Sequence, residues 1–149
     1  MQIRIAVSEQ HYNSVKEYLT AHGVEIDEKG EFMITEAERT HAFLTARNEK
    51  KEQVRLSAEE VVYIEAFGKD VEIHTAQDVF FAADRMYQLE EALDPKEFLR
   101  VSKSVIISRK HVKKIRPTLS QKFILTMTGG TLVDVTRSYY SDFRRFFNI

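Results

Sequence analysis

The C-terminal two-thirds of the sequence consists of short β-type segments separated by turn residues. Residues 61–67 and 71–75 are rich in β-branched and aromatic residues, and the Gly-Lys-Asp sequence between them favours a turn. Further strands are predicted at residues 42–47, 53–56, 79–82, 105–107, 112–116, 121–128 and 131–135. Only residues 84–93 and 138–147 have clear helical spacing in this part. The pattern predicts a mainly β domain of several short sheets with two short helices.

The first forty residues predict a separate small unit of β-α-β-β order. Residues 2–7 alternate apolar and polar side chains, Ser8 is placed to cap a helix, and Gly23 is placed to end it. Residues 24–27 and 31–35 flank a Glu-Lys-Gly sequence and predict a hairpin. Because so short a unit buries little core alone, we expect it to pack on the rest of the chain or on a second subunit in a homodimer.

Charge is distributed unevenly along the chain. Residues 100–149 contain eleven Lys or Arg and two Asp, a net +9, whereas residues 1–99 contain eleven Lys or Arg and twenty-one Asp or Glu, a net −10. The overall charge of −1 therefore conceals a basic C-terminal part. Such a part suits a polyanionic partner. The alternative is a solvated basic surface that binds nothing in particular.

Composition excludes several kinds of site. The absence of Cys excludes disulfides, a Cys-ligated zinc site and a Cys nucleophile. The five His are scattered, and no Gly-rich phosphate loop or Ser-His-Asp grouping is evident. We therefore expect no enzyme activity, no metal and no cofactor. The sequence has no apolar run of membrane-spanning length and no signal-peptide core, so a cytoplasmic location is expected.

Four segments occur in sequence order: VVYIEA at residues 61–66, FLRVSKS at 98–104, VIIS at 105–108 and VDVTRSY at 133–139. A helix is predicted between the first two, and a Gly-containing hairpin leads into the last. Together they resemble the LytTR DNA-binding domain family, over residues 41–149. The resemblance implies a compact fold of short sheets in which loops, rather than a recognition helix, enter successive major grooves of duplex DNA.

The resemblance also assigns three DNA-contacting loops by position. Their candidate contact residues are Lys69 and Asp70, Ser102 and Lys103, and Arg137 and Ser138. The family often has His-Arg-Ser where this chain has Ser-Lys-Ser at 102–104, so the bidentate fork that reads guanine is lost there. It often has Asn in place of Ser108, and its polar reader in the first loop falls at Asp70 or Val71.

Arg137 fits the family pattern best, because it follows a predicted strand and precedes a predicted helix. A guanidinium can donate two parallel hydrogen bonds to guanine O6 and N7, which provides ~1–3 kcal/mol of discrimination. The alternative is a surface Arg paired with Asp134 or Asp142. The 102–104 loop offers an ammonium and two hydroxyls that suit phosphate oxygens, or it is an ordinary polar loop.

Other basic residues have more general roles in this interpretation. Arg100 lies between two apolar residues and either reaches DNA or holds the loop through a buried ion pair. The densest basic run, residues 109–116, is expected beside the loops as a source of phosphate contacts; it includes Arg109, Lys110 and Lys113. Lys69 has a similar role. Asp70 would oppose phosphate unless it accepts from cytosine N4 or orients Lys69.

The last predicted helix has an aromatic stripe with helical spacing: Tyr139, Phe143, Phe146 and Phe147. This spacing predicts a core-facing stripe. Stacking on unpaired bases, as in RNA or single-strand binders, is the alternative.

These observations predict a transcription regulator that binds duplex DNA sequence-specifically. The alternative is a protein-interaction adaptor of the same fold that has lost specific DNA readout, and RNA binding is a third option. The first forty residues are too short for a receiver domain and lack its acidic cluster, so control by phosphorylation is not expected. Family members of this short build resemble regulators encoded beside a small inhibitory membrane protein, which is an implied partner.

Overall fold

Two compact units, within residues 1–40 and 41–149, make up the chain. The computed structural model describes residues 1–36 and 42–149. The boundary expected between residues 40 and 41 falls outside the described part. Each unit is built from its own strands and helices.

The N-terminal unit is a parallel three-stranded sheet with one helix. Its central strand is β1 (Gln2–Ala6), which pairs in parallel with β2 (Glu25–Ile26) on one side and β3 (Phe32–Thr35) on the other. The helix α1 (Glu9–Ala21) connects β1 to β2. The predicted order of elements is therefore present.

The hairpin predicted from residues 24–35 is wrong, because β1 separates β2 from β3. The intervening turn carries the chain across the start of β1: the amide of Lys29 donates to Asp27 Oδ1 at 2.8 Å, and that of Gly30 to the Asp27 carbonyl oxygen at 3.0 Å. A Cβ atom on Gly30 would lie 2.7 Å from the backbone of Gln2. Only glycine allows this close crossing.

The structure tests the predictions made from the sequence for the two ends of α1. Gly23 has φ +78 and its amide donates to the Thr20 carbonyl oxygen at 3.1 Å, so the predicted helix end is confirmed. Ser8 occupies the N-cap position, but its side chain makes no capping hydrogen bond. The predicted helix start at Ser8 is therefore confirmed, whereas a side-chain capping bond is absent; the Ser8 hydroxyl donates to Glu36 Oε1 at 2.6 Å.

The described part of the second unit contains two antiparallel sheets and two short α-helices, which confirms the predicted mainly β fold of several sheets with two short helices. The seven strands of the larger sheet have the spatial order β5-β4-β8-β7-β6-β10-β9, and those of the smaller sheet β11-β12-β13. The elements in chain order are β4 (Phe43–Arg47), β5 (Gln53–Ser57), β6 (Val61–Phe67), β7 (Asp70–Thr75), β8 (Val79–Ala82), α2 (Met86–Ala92), β9 (Phe98–Arg100), β10 (Val105–Ser108), β11 (Val112–Pro117), β12 (Phe123–Met127), β13 (Leu132–Val135) and α3 (Tyr140–Phe147).

Two apolar clusters cover the two faces of the larger sheet. On β10, Ile107 belongs to a cluster that includes Phe143 of α3 and the smaller sheet, whereas Ile106 belongs to a cluster that includes Leu89 of α2. All three residues of the 105–107 run are buried, as expected for a strand covered on both faces. The central strands are thereby fixed, which positions the loops at their ends.

The aromatic stripe at the C-terminus faces the core. Tyr139 is 6% exposed and Phe143 is 0% exposed, which confirms the core-facing prediction for these two residues. Phe146 and Phe147 are partly buried against the same cluster.

Candidate nucleic-acid interface

Two backbone hydrogen bonds bring the three predicted loops together. The amide of Ala66, near the end of β6, donates to the Ser104 carbonyl oxygen at 2.8 Å. The amide of Thr136, after β13, donates to the Val101 carbonyl oxygen at 3.1 Å. We call the resulting surface the loop cluster and define it as residues 68–70, 102–104 and 137–138.

The first loop is a two-residue hairpin turn between β6 and β7. Phe67 pairs with Asp70, and Gly68 has φ +57 at the first turn position, as in a type II′ turn. Lys69 and Asp70 are exposed. Neither side chain has a hydrogen-bond or ion-pair partner among the described residues. Both are therefore available to a ligand.

The second loop is closed by its own backbone and by Arg100. The amide of Val101 donates to the Val105 carbonyl oxygen at 3.0 Å, and the Ser104 amide donates to Ser102 Oγ at 3.3 Å. Ser102 is partly buried, whereas Lys103 is exposed. The loop thus presents the ammonium of Lys103 on a short, fixed backbone.

Arg100 contacts the loop from inside the domain. Its Nη2 donates to the Lys103 carbonyl oxygen at 2.5 Å, and its Nη1 lies 3.3 Å from Glu90 Oε2 on α2. The two side chains are only 21% and 25% exposed. Of the two roles expected for Arg100, the loop-holding ion pair is the one that these contacts match.

The third loop begins with a 3-10 turn, Arg137–Tyr139, between β13 and α3. Arg137 and Ser138 are exposed, while Tyr139 anchors the turn in the core. The carboxylate of Asp142 pairs with Arg145 at 2.6 Å. The guanidinium of Arg137 has no hydrogen-bond or ion-pair partner in the described part of the chain, so neither expected surface pair forms there.

The start of the basic run lies away from the loop cluster, which corrects the expectation that it stands beside the loops. Arg109 follows the last residue of β10, whereas the 102–104 loop precedes the first, and a strand rises about 3.4 Å per residue. Lys110 Nζ lies 3.5 Å from Glu59, just before β6 begins. The Arg109 guanidinium lies 4.9 Å from the ring centroid of Phe146. Residues 109–111 thus belong to the opposite end of these strands.

The end of the basic run returns towards the loop cluster along β11. Pro117 pairs with Phe123, and Phe123 pairs with Val135, the last residue of β13. Arg116 is therefore at the end of the smaller sheet from which Arg137 emerges. Lys113 is exposed nearer the other end of β11, next to a break in the strand register.

Two residues near the loop cluster were missed as candidates from the sequence. Lys122 is exposed just before β12, at the same end of the smaller sheet as Arg116. Phe67 is 54% exposed at the end of β6. A basic or aromatic residue directly beside a turn was the signal that could have identified both.

Two carboxylates lie near the first two loops, on paired strands. Glu65 pairs with Glu72 on β7 and with Val105 on β10. Burial raises the pKa of Glu65, and the negative charge of Glu72 raises it further, against the opposing effect of His74. His74 Nε2 lies 3.1 Å from the Glu72 carboxylate, and its ring stacks on Tyr63 at 4.2 Å. The pairing of β6 with β7 thus holds the partly buried carboxylates of Glu65 and Glu72 next to each other.

Two further structural observations apply only to residues 1–36 and 42–149. They contain no group of three or more His, Cys, Asp or Glu side chains arranged to hold a metal ion. No helix within these ranges combines the length and apolar character needed to cross a membrane.

Comparisons with known proteins agree with the fold of the second unit. Residues 51–148 match the family described as the LytTr DNA-binding domain. The solved structure of a LytTr DNA-binding domain from Bacillus cereus superposes with a TM-score of 0.69 and 25% sequence identity, covering 73% of this chain and 99% of that one.

Two proteins with similar sequences are transcriptional regulators. The transcriptional regulatory protein LytR of Staphylococcus aureus is 29% identical over 72 residues, which is 48% of this chain and 29% of LytR. The CO-responsive transcriptional regulator RcoM of Rhodospirillum rubrum is 36% identical over 85 residues, 56% of this chain and 36% of RcoM. The chain therefore spans about a third of the length of these relatives. Since the family match covers more than half of the sequence, the protein belongs to the LytTr DNA-binding domain family.

Proposed function

We propose that this protein is a transcription regulator that binds duplex DNA sequence-specifically through the loop cluster. The observation that carries the proposal is the pair of backbone hydrogen bonds that join the three loops, at 2.8 Å and 3.1 Å. These bonds join the backbones of three loops from distant parts of the sequence, and each loop carries an exposed cationic side chain. The family match and the regulator relatives support the same function.

Arg137 is the proposed base reader. Its guanidinium is exposed, it is unpaired among the described residues, and its backbone follows a strand held in the core. A guanidinium in this state can donate two hydrogen bonds to guanine O6 and N7 without first breaking an internal ion pair. Ser138 beside it offers a hydroxyl to a base or phosphate.

The other two loops are proposed to position the domain. Lys103 and Lys69 carry exposed ammonium groups that suit phosphate oxygens, and Ser102 stabilises the backbone of its loop. The Asp70 carboxylate is exposed and forms no ion pair with Lys69 in the described part of the chain. Its proposed role is to accept a hydrogen bond from the N4 amino group of a cytosine. Arg116 and Lys122 are proposed to add phosphate contacts at the rim.

The experiment is a binding titration of the full chain after selection from a duplex library with a randomised centre. Arg137→Ala should weaken binding to the selected duplex by about tenfold or more and leave binding to an unrelated duplex nearly unchanged. Lys110→Ala removes the same charge from the opposite end of β10 and is the matched control. Its binding should change less than about twofold, because Lys110 lies at the end of β10 opposite to the 102–104 loop and the effect of an exposed charge is screened over that distance.

The outcomes separate the candidate functions. Preference of the wild type for one duplex, lost in Arg137→Ala, supports the proposal. Equal binding of all duplexes, or of none, contradicts it and favours the adaptor. Competition by single-stranded RNA stronger than that by the selected duplex favours RNA binding.

We also propose that the chain acts as a homodimer. The motive is the small N-terminal unit, in which α1 has no fully buried residue and Phe32 is 53% exposed. A dimer favours two half-sites separated by about 10 base pairs or a multiple of that spacing. Light scattering that gives a monomer mass both with and without the selected duplex would contradict this proposal.

A further inference from the structure

Phe67 is a large apolar side chain in an exposed position at the tip of a hairpin. It is the last residue of β6, and its side chain is 54% exposed. Side chains alternate along a strand, so Phe67 lies on the same face of β6 as Glu65 and Tyr63. Tyr63 is buried in the core, with only 8% of its surface exposed. The strand thus passes from a buried aromatic residue to an exposed one as it approaches the turn.

The position of Phe67 distinguishes it from other exposed apolar residues. Its neighbour Ala66 donates the 2.8 Å hydrogen bond to Ser104, so Phe67 lies next to the second loop of the loop cluster. Lys69 follows it within the same turn. Single exposed apolar residues are common on protein surfaces and need no explanation. This one lies at the end of β6, between residue 66, which is bonded to the second loop, and the turn that carries Lys69, in the loop cluster where DNA is proposed to bind.

The chemistry of the major groove indicates what such a ring would contact. The edges of the four base pairs there present hydrogen-bond donors and acceptors, and thymine alone adds an apolar group, its C5 methyl. We propose that Phe67 contacts the methyl group of one thymine and so makes the protein prefer thymine at that position. This inference rests on the proposed function and adds a specificity-determining residue to it.

The test removes the methyl group and the ring in turn. From the duplex selected by the wild-type full chain, each thymine is replaced singly by deoxyuridine, which lacks the methyl. At one position the replacement should weaken wild-type binding by about fourfold, the effect expected for one buried methyl group. Phe67→Ala should show no penalty at that position, and Phe67→Leu should keep part of it.

The matched control is Tyr87→Ala. Tyr87 is an aromatic residue of similar exposure, 52%, on α2, which packs on the opposite face of the larger sheet. This variant should keep the whole deoxyuridine penalty. Circular dichroism and thermal unfolding of every variant check that each remains folded.

Three results would overturn the inference. If Phe67→Ala shows the same deoxyuridine penalties as the wild type, the ring does not contact a methyl group, while the proposed DNA binding stands. If Phe67→Ala instead loses binding to single-stranded oligo(dT) and not to the duplex, the ring stacks on unpaired bases. If the wild type selects no duplex at all, the inference and the proposed function fail together.

Discussion

The guanidinium of Arg100 donates a hydrogen bond to the carbonyl oxygen of Lys103 at 2.5 Å while it pairs with Glu90 on α2 at 3.3 Å. Arg100 thereby links α2, which lies on one face of the larger sheet, to the backbone of the 102–104 loop at the end of that sheet. Lys103 is exposed, so its side chain is free to approach a ligand while its backbone is held. Arg100 acts as a positioning residue for the loop cluster.

Replacing Arg100 should weaken both stability and DNA binding. Charge-assisted hydrogen bonds are worth about 1.5–3 kcal/mol, and partial exposure reduces this, so we expect Arg100→Ala to lower the free energy of unfolding by about 1–2 kcal/mol. Urea denaturation measures the loss. Arg47→Ala is the control, since Arg47 is exposed and makes no ion pair among the described residues. Equal stability of the two variants would show that the Arg100 contacts contribute nothing.

The first turn of the loop cluster depends on glycine. Gly68 has φ +57, a backbone conformation that costs an L-residue about 1–2 kcal/mol. Gly68→Ala should therefore lower the free energy of unfolding by about 1 kcal/mol and weaken duplex binding. Lys69→Ala, at the next position with an ordinary backbone, should leave the unfolding free energy within about 0.5 kcal/mol of wild type. An unchanged urea midpoint for Gly68→Ala would contradict the turn geometry.

Glu65 makes the stability of the protein depend on pH in an unusual direction. Because burial raises the pKa of Glu65 above its ordinary value of 4.5, its contribution to stability is fully present below that pH and is lost as pH rises through the folded-state pKa. Glu65→Gln should therefore stabilise the protein slightly at neutral pH. Thermal unfolding at pH 7 and pH 4 should show a gain only at the higher pH. Glu49→Gln, at an exposed position, should show no such gain at either pH.

Glu36 should have the opposite dependence. Hydrogen bonds from the Ser8 hydroxyl, from His11 and from the Ser8 amide lower the pKa of Glu36 to about 2. The stabilisation they provide is present above pH 4.5 and is lost as pH falls from 4.5 to about 2. A carboxyl-detected NMR titration measures this pKa directly. Since the Ser8 hydroxyl is the largest cause, Ser8→Ala should raise the pKa of Glu36 towards 4.5; the same midpoint in both proteins would contradict this contact.

Local patterns in the sequence were sufficient to predict much of the second unit. The 105–107 run and the 71–75 strand combine β-branched residues with turn signals, and both occur as predicted. The strand Phe98–Arg100 was not predicted, because three residues contain too little alternation. It forms through its pairing with β10, which is a tertiary contact.

The remaining errors also arise from contacts between distant residues. The position of β1 between β2 and β3 is not visible in the local sequence pattern. It depends on the close passage of the chain at Gly30 over the backbone of Gln2, which is a contact between residues distant in sequence. The basic run appeared to be one surface, but β10 places Arg109 at the end of the sheet opposite to the 102–104 loop. Conversely, the resemblance assigned three loops that are far apart in sequence, and the hydrogen bonds at Ala66 and Thr136 show that they are neighbours.

The most direct test of the account concerns the contact between Arg137 and a guanine. In the duplex selected by the wild type, each guanine is replaced singly by 7-deazaguanine, which lacks the N7 acceptor. We expect one replacement to weaken wild-type binding by about tenfold and to have no effect on binding of Arg137→Ala, because both changes remove the same hydrogen bond. If every replacement weakens the two proteins equally, Arg137 does not read guanine and the central claim is wrong.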